Sequence, residues 1–199
     1  TSSWDFDTTE LNLHDGKIKV KGVEGDAKVI GFDASNQSSY IVLSDGTLLV
    51  SGRNNYYQLG LNNTIDQQTF VVSDITDVVD VCCHNNWAMV LLRDGTVRTI
   101  GYNNYGYLGS GNTTSQTSWT VSPITNVYKI ASGAYHTVAL KNDGTVWTVG
   151  YNNYGQLSNG GTSNVYTWTE VNYNSNPRDI SATIIDISAA SYKTIIMVE

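Results

Sequence analysis

The chain has 199 residues, of which 40% are hydrophobic and 15% charged, with a formal net charge of -7. That balance describes a globular protein, and its acidic sign argues against nucleic acid as a partner, because binding a polyanion rests on Lys and Arg neutralising phosphates. No apolar run approaches the roughly 20 residues of a membrane-spanning helix, so no membrane insertion is expected. Asn, Ser, Thr and Tyr supply much of the polarity, a composition that fits either AT-rich codon usage or a surface recognising ligands by hydrogen bonds and aromatic faces.

From the N-terminus, WDFDTTELNL (Trp4 to Leu13) precedes HDGKIKVKG (His14 to Gly22), an Asp-Gly turn followed by an alternating strand. The same turn-and-strand pattern returns as DGTLLVSG from Asp45, DGTVRTIG from Asp94 and DGTVWTVG from Asp143, a step of 49 residues. Each is followed by a second recurring string: NNYYQLG from Asn54, NNYGYLG from Asn103 and NNYGQLS from Asn152. A period of about 20 to 50 residues is the signature of stacked or radially arranged units.

Aligned on the turns, each unit contains four short strand-like segments. In the third they fall near Thr117 to Val121, Val127 to Ser132, Thr137 to Lys141 and Val146 to Gly150. Val146 and Thr148 alternate with Trp147 and Val149 at the strand period. Asp143-Gly144 fits a two-residue hairpin, since Asp and Gly tolerate positive φ. Gly52, Gly101 and Gly150 end the strands and free the chain to turn. Asn54, Asn103 and Asn152 then suit hydrogen bonding within the following loop, which Leu59, Leu108 and Leu157 would pin to apolar surface.

The expected fold is therefore all-β: β-propeller blades of four antiparallel strands, a radial repetition that limits exposed sheet edges. The segment from Gly133 to Leu157, GAYHTVALKNDGTVWTVGYNNYGQL, resembles the repeat of the regulator of chromosome condensation family, with the likeness running from about residue 27 to 198. Gly155, Gln156 and Leu157 match its motif fully, whereas Tyr57 and Tyr107 each replace one motif residue in the earlier units. The resemblance implies a seven-bladed propeller scaffold that binds partners, its best-known member being an exchange factor for the small GTPase Ran that docks on chromatin. The acidic charge counts against chromatin here.

Seven such units would need about 350 residues, so about four blades are expected from one chain. The approximate units are 16–52, 53–101, 102–150 and 151–199, in a single repeat domain spanning 1–199. The first is irregular and lacks an outer strand unless Trp4 to Leu13 supplies it. KTIIMV (Lys193 to Val198) ends the chain on a third-strand pattern, and residues 16–22 are available to complete that last blade. Three arrangements stay open: a closed four-bladed ring, a half-ring completed by self-association as an eight-bladed two-fold dimer, and an excised piece of a longer chain. An insertion around Val171 to Ala182 breaks the last unit.

Little in the chain suggests catalysis. His14, His84 and His136 occupy different contexts, and the position of His136 carries Trp87 and Lys193 in neighbouring units. No nucleophile elbow, zinc-protease helix or phosphate loop is present, and Asp5 with Asp7 has no spacing support as a glycosidase pair. Adjacent Cys82 and Cys83 should face opposite sides of a strand and neither bridge nor share a metal. No catalytic residues, metal or cofactor are expected.

Binding suits the repeat better, because recurring loops present the same side chains several times on one body. Tyr56, Tyr105 and Tyr154 occupy equivalent loop positions beside Asn55, Asn104 and Asn153, pairing an aromatic face for a sugar ring with an amide for its hydroxyls. Trp119 and Trp168, on equivalent outer strands, are further candidates. The expected function is noncatalytic recognition of a glycan or other surface ligand in a bacterial or phage surface structure, extracellular, at a cell surface or on a virion. Two alternatives are an intracellular adaptor or exchange-factor-like propeller, and a structural segment of a fibre or appendage.

Overall fold

The computed structural model describes residues 12–14, 17–19, 27–171 and 183–199, and all its regular structure is β. β1 (Asn12–His14) and β2 (Lys17–Lys19) form a hairpin with Leu13 opposite Ile18. β3 (Val29–Ala34), β4 (Ser38–Leu43), β5 (Leu48–Gly52) and β6 (Gln67–Val72) make the first four-stranded antiparallel sheet. The second is β7 (Val78–His84), β8 (Trp87–Leu92), β9 (Val97–Gly101) and β10 (Gln116–Ser122). The third is β11 (Val127–Ser132), β12 (His136–Lys141), β13 (Val146–Gly150) and β14 (Val165–Glu170). β15 (Ile184–Ala190) pairs with β16 (Lys193–Val198) as a two-stranded fourth.

These are propeller blades. The inner strands follow one another around the arc, β3 packing on β7, β7 on β11, and β11 on β15. Among the described residues no comparable contact joins β15 or β16 to β3. The alternation seen in the sequence sorts each strand's side chains onto the two faces of its blade. Val42, Leu48 and Val50 of the first blade pack against Val81, Cys83 and Val90 of the second. Met89, Leu91 and Val97, on the second blade, meet Ile130 and Ala139 of the third. Cys83 and Cys82 thus face different interfaces, both as free buried thiols whose ionisation burial pushes up.

The strand grouping differs from the expectation in one respect. The segment near 117–121 does not open the sheet of 127–150; as β10 it pairs with β9, Thr120 opposite Thr99. The chain leaves each third strand at a glycine, makes the Asn-Asn-Tyr loop and comes back along the same edge. For the same reason the first blade is complete, its outer strand being β6, which follows β5. Of 16–22, residues 17–19 pair with β1, and the rest of that closing segment lies outside the described residues, as do Trp4 to Leu11 and most of the 171–182 insertion.

The Asp-Gly hairpins also differ in detail. Lys141 donates its N–H to Thr145 O at 2.9 Å, and Gly144 N–H reaches Lys141 O at 2.9 Å. Only Gly144 in this loop has positive φ, at 81°. This is a three-residue connection, a type I turn closed by a left-handed glycine, rather than a two-residue turn with two positive φ values. Asp143 fits it for another reason: its Oδ1 accepts from Thr145 N–H at 3.0 Å. Asp45 and Asp94 do the same for Thr47 and Thr96, both at 2.9 Å. Gly52, Gly101 and Gly150 are required more strictly, since a Cβ on Gly150 would sit 2.5 Å from Tyr135 O.

Candidate functional site

The Asn-Asn-Tyr loops carry the aromatic face, and their first asparagines build it. Asn54, Asn103 and Asn152 are fully buried. Their Oδ1 atoms accept from the N–H groups of Leu59, Leu108 and Leu157 at 2.9, 3.0 and 2.9 Å. Their Nδ2 atoms donate to Asn63 O, Asn112 O and Gly161 O at 2.8, 3.0 and 3.0 Å. One side chain thereby satisfies both halves of a loop that has no strand ladder of its own. Gln58 and Gln156 add an acceptor for Tyr56 N–H and Tyr154 N–H at 2.9 and 3.0 Å. The loops are fixed, and the residue pairs at their tips, Asn55-Tyr56, Asn104-Tyr105 and Asn153-Tyr154, reach the surface.

There the tyrosines meet other tyrosines. Tyr56 contacts Tyr102 with ring centroids 5.0 Å apart, and the same contact one unit later joins Tyr105 to Tyr151 at 5.0 Å. Tyr135, in the β11–β12 turn, packs edge-on to Tyr105 at 5.3 Å. Tyr192, in the β15–β16 turn, reaches Tyr154 at 5.2 Å and Tyr135 at 6.1 Å. Tyr105, Tyr135, Tyr151, Tyr154 and Tyr192 form one continuous platform over the third and fourth blades. Tyr154 is 71% exposed and Tyr192 44%, an aromatic surface that offers rigid contact area with hydroxyl groups at its margin. Partial desolvation, then the neighbouring phenols, push the Tyr192 hydroxyl above its ordinary value, which keeps it uncharged.

Beside the platform, between the second and third blades, lies a cleft of about 230 Å³. Tyr105 and Tyr135 belong to both features. Its polar wall comes from the β7–β8 turn, His84, Asn85 and Asn86, with Trp87 beneath. Trp87 stacks on Tyr107 at 4.9 Å and is 1% exposed. The Oδ1 atoms of Asn85 and Asn86 and the indole N–H of Trp87 have no hydrogen-bond partner. An unmade buried hydrogen bond costs about 1–3 kcal/mol, so three in one place mark this turn as unusual. Burial pushes the His84 imidazole below its ordinary range, leaving it neutral near pH 7.

Trp119 and Trp168 are not brought to this face's aromatic contacts. Each indole donates to a serine of the preceding blade, Trp119 to Ser73 Oγ at 3.3 Å and Trp168 to Ser122 Oγ at 2.8 Å. Each also covers a loop glycine: Cβ atoms at Gly60 and Gly109 would lie 2.1 and 2.4 Å from those indole nitrogens. They act as clamps between blades. His136 is likewise enclosed. Thr194 donates its hydroxyl to Gln156 O at 2.7 Å and so accepts from His136 Nε2–H at 3.1 Å, which assigns the tautomer and ties the third blade to the fourth. Its ring fills the space that a Cβ on Gly133 would need, 2.1 Å from Cε1.

The sequence reading named Tyr56, Tyr105 and Tyr154 but not Tyr102, Tyr135, Tyr151 or Tyr192. Tyr102 and Tyr151 carried a usable signal, since both follow a strand-ending glycine at the 49-residue step. Asn85 and Asn86 carried only a partial one, since an amide pair, Asn36-Gln37, stands at the equivalent turn one unit earlier but Ala134 and Tyr135 stand there one unit later. Among the described residues no group of three His, Cys, Asp or Glu side chains is arranged to hold a metal ion.

Solved structures share this architecture at low identity. Prp20p from Saccharomyces cerevisiae superposes with a TM-score of 0.74 at 15% identity, over 90% of this chain and 45% of its own. Yeast RCC1 (Prp20) bound to Kap60 gives 0.71 at 20% identity, over 87% and 40%. Human WBSCR16 gives 0.70 at 21% identity, over 84% and 44%. The chain therefore spans less than half the length of these proteins. No curated protein sequence matches it. The model of the regulator of chromosome condensation (RCC1) repeat matches residues 45–91, 94–140 and 143–197, and a second model of that repeat matches 127–156. With three consecutive repeat matches, each running from the third strand of one blade to the second strand of the next, over more than half of its residues, the chain belongs to the regulator of chromosome condensation repeat family.

Proposed function

We propose that this chain is a noncatalytic recognition module that binds a glycan or related surface polymer through its tyrosine face, within a bacterial or phage surface structure. The observation that carries the reading is the platform of Tyr105, Tyr135, Tyr151, Tyr154 and Tyr192, five rings linked by edge-on and tilted contacts, with all but the half-buried Tyr151 open to solvent. Sugar rings present an apolar face of C–H bonds, which packs on aromatic rings, and a rim of hydroxyls that need donors and acceptors. Phenol hydroxyls and the exposed amides of Asn104 and Asn153 supply both. Several equivalent contacts on one rigid body allow a repeating polymer to gain from multivalency.

A glycan array tests the reading. Binding by the wild-type chain that is abolished by Tyr105→Ala together with Tyr154→Ala supports it, and an array without binding sinks it. The second reading is a protein-binding adaptor or exchange-factor-like module. It is favoured by the likeness to Prp20p, a protein described with binding to Gsp1p and histones, and to yeast RCC1 bound to Kap60. Recovery of a small GTPase in a pull-down, with no glycan bound, would favour it.

The fourth blade suggests a second property, self-association. Among the described residues β16 is paired only to β15, and Ile195 and Met197 on it are 54% and 53% exposed, whereas the equivalent Val138 and Leu140 of β12 are buried. An unpaired strand edge with an apolar face is a template for another strand, and a second copy of the chain is the proposed source.

A further inference from the structure

Resting on the glycan reading, we infer that the cleft between the second and third blades is a subsite for a single neutral hexopyranose residue, from which the rest of the saccharide runs across the tyrosine platform. Its size fits one ring. At about 230 Å³ it is smaller than the roughly 300–1,000 Å³ of sites for larger ligands. Tyr105 and Tyr135 join it to the platform, so a chain leaving the cleft meets Tyr151, Tyr154 and Tyr192 without crossing open solvent.

The chemistry of the walls selects the charge. No Asp, Glu, Lys or Arg lines the cleft, and burial keeps His84 neutral. A carboxylate entering it would lose hydration and find no cation in exchange. Hydroxyl groups fare differently, since each both donates and accepts. Behind the walls lie three unpartnered polar atoms closed to solvent as they stand, the acceptors Asn85 Oδ1 and Asn86 Oδ1 and the donor Trp87 Nε1–H. Both asparagines are half-buried turn residues, so rotation of the side-chain amide brings its oxygen to the cleft. Two vicinal hydroxyls match a pair of neighbouring amides, and the ring's apolar face matches Tyr105 or Tyr135. The first blade repeats the amide pair as Asn36-Gln37, but Ser38 stands there in place of Trp87, and the third and fourth blades carry Ala134-Tyr135 and Ser191-Tyr192 at the same turn.

Calorimetric titration of the full chain with neutral hexose oligosaccharides, in parallel with oligosaccharides carrying glucuronate or sialate, provides the test. The expected result is binding of at least one neutral series, no binding of the anionic series, and weakening of about tenfold or more in Asn85→Ala/Asn86→Ala. Asn62→Ala, on a loop away from the cleft, should bind as wild type. Unchanged melting of the double variant separates lost contacts from lost fold, and Asn86→Asp provides a second probe by placing a carboxylate in the wall. Neutral saccharides that bind through Tyr154 but ignore both asparagine variants would overturn the subsite and leave the glycan reading standing. Equal or tighter binding of the anionic series would also overturn it. If no saccharide binds, the glycan reading and the subsite fall together.

Discussion

Asn103 shows how a residue that looks like a binding group serves the scaffold. Its side chain bonds Leu108 N–H and Asn112 O from a fully buried position, and also reaches Thr114 O at 3.1 Å. Asn103→Ala leaves those backbone groups unpaired, at about 1–3 kcal/mol for each that water does not reach. Chemical denaturation should therefore show a loss of at least about 2 kcal/mol; a loss within experimental scatter would remove Asn103 from the scaffold. The exposed neighbour Asn104 carries no such burden. The division between a loop-building first asparagine and a free second one was legible in the sequence, but the partners of Asn103 on the far side of the loop, Asn112 and Thr114, were not.

His136 adds a pH dependence at the same scale. Burial lowers its imidazole from 6.5 to about 4. Between those values the unfolded chain binds the proton and the folded chain does not, so this group makes stability fall as pH drops from about 6.5 to about 4, by up to about 1.4 kcal/mol per unit. Asp80, whose carboxyl burial raises above its usual range, acts in the opposite sense, so the comparison must be with His136→Gln. The difference in melting temperature between variant and wild type should change across this window. A constant difference would contradict the neutral, Nε2-protonated assignment.

At the scale of the element, the alternation and the Asp-Gly punctuation located the central strands within a residue or two. They misplaced the outer ones. β10 precedes β11 in sequence and sits in the blade before it, a partnership decided by where the long loop returns and not by any local pattern. Turn type was equally invisible, because Asp-Gly serves both two-residue and three-residue hairpins. The glycines now separate two effects. Gly144 at φ 81° has open space for a Cβ, while Gly150 at φ 118° would press one against Tyr135 O. Gly144→Ala should cost about 1–2 kcal/mol from backbone strain alone, and Gly150→Ala clearly more. Equal losses in thermal unfolding would mean the close approach at Gly150 is relieved cheaply.

For the whole molecule, the period of 49 residues announced blades, and their number followed from length. Which loops converge was not legible, since that depends on the angle between blades. Tyr192 meets Tyr135 and Tyr154 only because the β15–β16 turn stands beside the third blade. The edge of β16, unpaired among the described residues, carries the proposal of self-association: light scattering should give a multiple of 21.8 kDa at high protein concentration, shifted toward the single-chain mass by Ile195→Lys/Met197→Lys. A single-chain mass at every concentration would exclude it.

Recognition by the tyrosine face is the central claim, and its most direct measurement is nuclear magnetic resonance of the tyrosine rings during saccharide titration. The ring signals of Tyr105, Tyr135, Tyr151, Tyr154 and Tyr192 should shift together and saturate, while Tyr128, exposed on β11, stays unmoved. Shifts that leave these five rings untouched, or no shifts with any saccharide, would contradict the account.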